Sequence, residues 1–225
     1  LLQTGDVVFS DELNHASIID GCRISRCKVV VYKHNDMADL QRLLETEIVT
    51  GQRFIVTDGV FSMDGDIADL PSLAVLKKQF NACLIVDDAH GVGVIGNDGS
   101  GTASHYGLTD VIDLQVGTLS KALAAEGGYV AGKKILIDYL INRSRPFIFS
   151  TALAPATLAA ANAALLLLQT QASKYLDSLR ANSRLMRRLL LEGGLNVVEG
   201  ITPIIPVVIG EAGLTMQFAD RLKSK

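Results

Sequence analysis

The stretch Leu84-Ile-Val-Asp-Asp-Ala-His90 is an apolar run that turns abruptly into two carboxylates and an imidazole. A buried parallel strand reads this way when its carboxyl end opens into a site. Thirty-odd residues later, Asp113-Leu-Gln-Val-Gly-Thr-Leu-Ser-Lys121 repeats the pattern and ends in a lysine. Two such strand ends lying side by side would set an acid and a histidine against a hydroxyl and an amine, a set suited to carbonyl chemistry. Either stretch alone is equally compatible with a carboxylate-capped loop and a solvated lysine.

Together the two stretches suit pyridoxal phosphate. That cofactor needs an amine to hold it covalently and a carboxylate beside its ring nitrogen, so that the protonated ring can accept electrons. Such an ion pair, at about 4 Å and an effective dielectric near 20, contributes roughly 4 kcal/mol before desolvation is subtracted. Asp87 and Lys121 are the candidates.

The rest of the chain repeats one rhythm. Asp6 to Ser10 reads as a strand, followed by an amphipathic helix to about Arg26 with Asn14 or Ser17 as cap. Lys28 to Tyr32 is a β-branched strand, and Asn35-Asp36 offers a cap to a helix with Met37, Leu40, Leu43 and Leu44 on one face. Arg53 to Asp58 is a strand again, and Pro71 opens a helix ending near Phe80. The glycine-rich run Gly91 to Gly101 predicts a loop across the rim of the site. Gly127 to Gly132 predicts a short strand and Lys133 to Asn142 a helix. Strand, site loop, helix, repeated, predicts an α/β fold: a mostly parallel sheet, helices on both faces and ligands at the carboxyl ends of the strands.

From Pro155 the character changes. Ala152 to Leu168 reads as a buried helix, since Pro155, Thr157 and Asn162 interrupt a run too short to span a bilayer comfortably. Ser173 to Leu191 reads as a second helix with Arg180, Arg184, Arg187 and Arg188 on an exposed flank, stopped by Gly193-Gly194. Leu195 to Val198 and Ile204 to Ile209 predict strands, and Leu214 to Leu222 a helix. The predicted division is a large domain over 1–170 and, over 171–225, a connecting helix with the start of a smaller α/β domain.

A net charge of -3, with lysine and arginine scattered, offers no basic field for nucleic acid and no polybasic membrane patch. Partners are expected to be small molecules or another copy of the chain. Cys22, Cys27 and Cys83 have neither a CxxC spacing nor an even count, which points to a reducing, cytoplasmic compartment. Leu1 opens the chain without a basic region or cleavage motif, so no signal peptide is read and the chain is expected to begin partway through a larger protein.

Five blocks in order carry a resemblance: Leu13-Asn-His-Ala-Ser-Ile-Ile-Asp-Gly21, Thr57-Asp-Gly-Val-Phe-Ser-Met-Asp-Gly-Asp66, Val86-Asp-Asp-Ala-His-Gly91, Gly117-Thr-Leu-Ser-Lys-Ala122 and Phe149-Ser-Thr-Ala-Leu-Ala-Pro155. The set resembles the α-oxoamine synthases, fold type I pyridoxal phosphate enzymes that condense an amino acid with an acyl-CoA thioester. Cys22 to Arg26 and Tyr32 to Met37 look most like the branch taking alanine and a pimeloyl thioester, with the branch taking glycine and acetyl-CoA similar over the same blocks.

The resemblance implies that Lys121 forms the Schiff base, that Asp87 pairs with the ring nitrogen, and that His90 donates to the phenolic oxygen. It also implies that His15 stacks on the ring, that Thr118 holds the phosphate, and that Ser62 holds the phosphate or the phenolic oxygen. Asp88 is a neighbour of less definite role. Ser150 and Thr151, Thr151 foremost, resemble the point where one subunit reaches the other's phosphate, which implies a homodimer. His34 and His105 match no functional position and read as surface or structural.

The family carries a phosphate-binding glycine turn before the position of Leu1 and, after that of Lys225, an arginine for the substrate carboxylate. The chain is therefore expected to be part of a competent enzyme. A catalytically silent piece or partner subunit stays open, as does an aminotransferase or lyase using the same acid and lysine.

Overall fold

The computed structural model describes residues 1–224. Six strands, β1 (Val7–Asp11), β2 (Lys28–Tyr32), β3 (Arg53–Asp58), β4 (Ala82–Asp87), β5 (Leu114–Thr118) and β6 (Gly128–Gly132), form one sheet in the order β2-β1-β3-β4-β5-β6. The pairings through β5 are parallel, and β6 closes the edge antiparallel to β5. The order 2-1-3-4-5 is that of a doubly wound sheet, whose ligands sit outside the carboxyl ends where the strand order reverses.

Each face of the sheet buries its own set of side chains. On one, Phe9, Ile55, Leu84 and Val86 pack with Leu40 and Leu44 of α2 (Met37–Thr46) and with Leu70, Leu73 and Leu76 of α3 (Leu70–Gln79). On the other, Val8, Phe54 and Val56 pack with Cys22 of α1 (Ala16–Ile24) and with Leu1 and Leu2. Full burial of each such leucine or isoleucine contributes about 1.5–3 kcal/mol. The helices start where their chemistry dictates: Asp36 accepts from the Asp39 N–H, Asp69 accepts from the Ser72 N–H, and Pro71 sits in the first turn of α3.

Three expectations change. The stretch from 152 to 168 is not a buried helix. A short helix, α4 (Thr102–His105), follows the glycine run, and α5 (Lys134–Arg143) and α6 (Arg145–Ile148) follow β6. The next helix, α7, runs from Pro155 to Glu192 across a non-helical residue at Gln171 (φ -136°, ψ 18°). Its apolar side chains spread around the whole circumference, so that only Ala161 and Leu176 are buried, while Leu165, Leu166 and Leu167 are 41%, 52% and 45% exposed. Among the described residues no helix is long and apolar enough to cross a membrane.

The two strands expected in the tail are reduced to a single antiparallel bridge, Val197 to Val207. Pro203 and Pro206 lack the N–H that a ladder needs, and a lone pair of strands is marginal in any case. The arginines are not one exposed flank either. Arg180 donates to the Gly96 carbonyl at 2.6 Å, and Arg187 donates to the carbonyls of Val198, Thr202 and Ile204, while Arg184 and Arg188 remain exposed. The final helix, α8, spans Ala212–Lys223 as expected.

Candidate active site

The turns following β1, β3, β4 and β5 converge, because these four strands are neighbours and point the same way. They enclose a cavity of about 180 Å³ lined by His15, Ser62, Asp87, His90, Thr118 and Lys121, together with Asp58, Ser17, Ala89, Val116 and Gly117. Six of the eight residues singled out in the sequence thus share one cavity. Ser150 and Thr151 do not: both are exposed, in the segment between α6 and α7. A larger cavity of about 530 Å³ lies between the second half of α7, the glycine-rich loop and residues 200–203, and holds none of the groups at the strand ends.

Asp87 is the last residue of β4, and its carboxylate accepts the Ala89 N–H at 3.0 Å. Asp58 ends β3 in direct register with it, and the Gly59 N–H donates to the Asp87 carbonyl at 2.7 Å. Sequence reasoning missed Asp58, although the rule applied to Asp87, a carboxylate closing an apolar strand, applies to it equally.

Asp58 is tied to the histidine turn. Its Oδ2 accepts the His15 N–H at 2.7 Å, while Asn14 Oδ1 accepts the Asp58 N–H at 2.8 Å. Asn14 Nδ2 in turn donates to Val56 O at 2.8 Å and to Ser10 Oγ at 2.9 Å. Asn14 is therefore a buried brace, and the cap of α1 is His15 itself, whose Nδ1 accepts the Ser17 N–H at 3.3 Å.

On β5 the Thr118 hydroxyl donates to Gly127 O at 3.2 Å and accepts the Ser120 N–H at 3.1 Å, which fixes the turn leading to Lys121. Gly117 is glycine because the Tyr129 ring of β6 occupies the place of a side chain; a Cβ there would lie 2.3 Å from its Cζ.

Burial pushes Asp58 up to about 6, with the charge of Asp87 adding to the shift and the His15 N–H opposing it. Burial also lowers the His90 imidazole, helped by the Lys121 charge and resisted by Asp87. The shift favours the neutral imidazole, in which one ring nitrogen donates and the other accepts.

Asp88 turns away from the cavity. Its buried carboxylate accepts the Thr102 N–H at 2.7 Å and the Thr102 hydroxyl at 2.9 Å, and burial pushes its pKa up to about 6. Gly101, at φ +99°, would place a Cβ 2.0 Å from Asp88 Oδ2. The run from Gly91 to Gly101 accordingly wraps behind Asp88 and, against expectation, contributes no residue to the cavity lining. His105 stacks edge-on with Tyr106 beside the larger cavity, and His34 lies in the turn after β2, bonded to Asp11 and Asp66.

A doubly wound sheet with a lysine, a carboxylate and two histidines gathered at its strand ends defines the class. The chain belongs to the aminotransferase class I and II family, which it matches over residues 1–225. It is 50% identical over 222 residues to the 8-amino-7-oxononanoate synthase of Lysinibacillus sphaericus, covering 99% of this chain and 57% of that protein. Among solved structures it superposes on the 8-amino-7-oxononanoate synthase of Francisella tularensis with a TM-score of 0.85 and 32% identity, over 100% of this chain and 65% of that one. A serine palmitoyltransferase from S. paucimobilis, solved with a bound PLP-myriocin aldimine, gives a TM-score of 0.89 and 30% identity over 95% of this chain and 55% of the other. The chain thus spans little more than half the length of the curated relatives it matches.

Proposed function

We propose that the cavity is a pyridoxal phosphate site and that the protein is a decarboxylative C-acyltransferase joining L-alanine to pimeloyl-CoA to give 8-amino-7-oxononanoate, a step of biotin synthesis. The observation that carries this reading is that Asp87 and Lys121 line one cavity from adjacent strand ends, flanked by His15 and His90. The donor set fits: an amine for covalent attachment, a carboxylate for a ring nitrogen, a neutral imidazole for a phenolic oxygen, and hydroxyls for a phosphate. When bound, the cofactor supplies an electron sink for the negative charge that develops at the α-carbon of the amino acid.

The rest falls to the chain's own residues. Lys121 would hold the cofactor, and its Nζ, when free, would be the base for the α-proton. Asp87 keeps the ring nitrogen protonated, and His90 donates its N–H to the phenolic oxygen. His15 stacks on the ring, held in place through its backbone by Asp58. Ser62 and Thr118 offer hydroxyls that donate to an anion without burying another charge. The α-carbon would bond to the acyl carbon as the CoA thiolate leaves, carbon dioxide would be lost from the former carboxylate, and the electron pair left on the α-carbon would take up a proton to give the aminoketone.

Ser150 and Thr151, exposed and apart from the cavity, would serve the site of a second subunit, which makes the working form a homodimer. Three free cysteines suit a cytoplasmic compartment. The break at Gln171 supports a boundary between the cofactor domain, 1–170, and the segment beginning a second domain, 171–225, whose final residue lies outside the described residues.

Borohydride reduction of the cofactor-loaded protein followed by peptide mapping tests the site: the label is expected on Lys121, and a label elsewhere overturns the assignment. Product formation from alanine with pimeloyl-CoA, set against glycine with acetyl-CoA, tests the substrates and separates the synthase from a glycine C-acetyltransferase.

A further inference from the structure

His34 lies outside the cavity, yet its ring joins two of the turns that form it. Nδ1 is 2.9 Å from Asp11 Oδ1 and Nε2 is 2.9 Å from Asp66 Oδ2, while the Phe61 ring meets the imidazole edge-on with centroids 4.4 Å apart. Ionised carboxylates only accept hydrogen bonds, and a neutral imidazole donates from only one nitrogen. Both bonds together therefore require the imidazolium.

Each carboxylate anchors a different turn. Asp11 Oδ1 accepts the Leu13 N–H at 2.9 Å, at the start of the turn that presents His15, and its Oδ2 accepts the Asn35 N–H at 3.0 Å. Asp66 Oδ2 accepts from Asn35 Nδ2 at 2.9 Å. The loop carrying Ser62 is closed by the Phe61 N–H donating to the Asp66 carbonyl at 3.0 Å and the Gly65 N–H donating to the Phe61 carbonyl at 2.8 Å.

The charged groups facing His34 are Asp11 and Glu12 at the end of β1, the latter accepting its backbone N–H at 2.8 Å, and Asp66 from the loop after β3. All are acidic. We propose that His34 is a positioning residue: as the imidazolium it locks the His15 turn to the Ser62 loop and so sets how tightly the cavity holds its cofactor. This rests on the reading of the cavity as a pyridoxal phosphate site.

Burial pulls the His34 pKa down, but the hydrogen bond and charge of Asp11 and the charge of Asp66 outweigh it and leave it raised. A raised histidine contributes its stability fully below the ordinary value of about 6.5 and loses it as the pH climbs through the raised one. Cofactor affinity should follow the same course.

The test compares the full-length protein with His34→Gln, which donates from one nitrogen only and carries no charge, and with Asp66→Asn, which removes the charge of one anchor. Pyridoxal phosphate titrations at pH 6.5 and 8.5 are paired with hydrogen–deuterium exchange of the apoprotein. His34→Gln is expected to weaken cofactor binding about tenfold at pH 6.5, with a smaller gap at pH 8.5. In both variants the peptides containing His15 and Ser62 should exchange faster together at the lower pH.

Affinities of variant and wild type that run parallel across pH, or faster exchange confined to the His34 turn, would overturn the proposal. Should His34→Gln not fold, the same two readouts on Asp66→Asn decide. A wild-type protein that fails to bind pyridoxal phosphate would instead sink the reading of the cavity, while the exchange comparison would still decide whether His34 links the two turns.

Discussion

The first 130 residues and the remainder of the chain solve the problem of burial in opposite ways. In the sheet region a large set of apolar side chains is fully enclosed, and several buried polar ones are paired: Asn14 with Asp58, Asp88 with Thr102, Asp11 with His34. From α5 onward, large apolar groups face outward, with Ile135 76%, Phe147 64% and Phe149 72% exposed. Exposed apolar side chains of this size lie on α5, on α6 and on the segment that follows them. The contrast separates a region held by its own contacts from one that leaves much of its apolar surface uncovered.

The largest effect that can test this contrast is at the site itself. Lys121→Ala should abolish borohydride labelling and lower kcat by about 10³–10⁴-fold, with thermal stability unchanged because the side chain is exposed. Activity within tenfold of wild type would remove the lysine from the chemistry. Leu84→Ala, at a fully buried position, should cost about 2–5 kcal/mol in urea unfolding, and a cost under about 1 kcal/mol would mean that the sheet region is not the self-supporting half.

Asp58→Asn should act through pH. With its pKa raised to about 6, the Asp58 carboxyl contributes stability that is complete below about 4 and lost as the pH rises through about 6. The asparagine variant should therefore match wild type near pH 4 and exceed it by about 2 kcal/mol near pH 7.5. Equal stabilities at both pH values would refute the burial of a charged Asp58. The smallest change belongs to Leu166→Ala, on the exposed face of α7, which should shift unfolding by under about 0.5 kcal/mol at low protein concentration. A loss that grows with protein concentration would show that face to be covered by a second copy.

Much of the sheet could be read from residues alone. Lys28–Tyr32 and Arg53–Asp58 have the boundaries that apolar and β-branched runs predict, because such a run marks a strand at the sheet's edge, as in β2, as well as inside it, as in β3. The site was legible for the same reason, since a polar residue ending such a run can only emerge at the sheet's rim. The tail was not. A short apolar run becomes a strand only if a ladder partner accepts it, and Val197 and Val207 find one bridge and no more. The break at Gln171 does fall in the gap left between the two helices read from the residues, although glutamine is itself a good helix former. The role of His34 lay hidden because its two partners come from positions 23 residues before it and 32 after it.

The register that sets Asp58 beside Asp87 reaches beyond the geometry of the site. Two acids on neighbouring strands repel each other, and the fold without cofactor bears that repulsion. A ring arriving with a positive charge removes it, so free energy withheld from the unliganded protein returns as affinity.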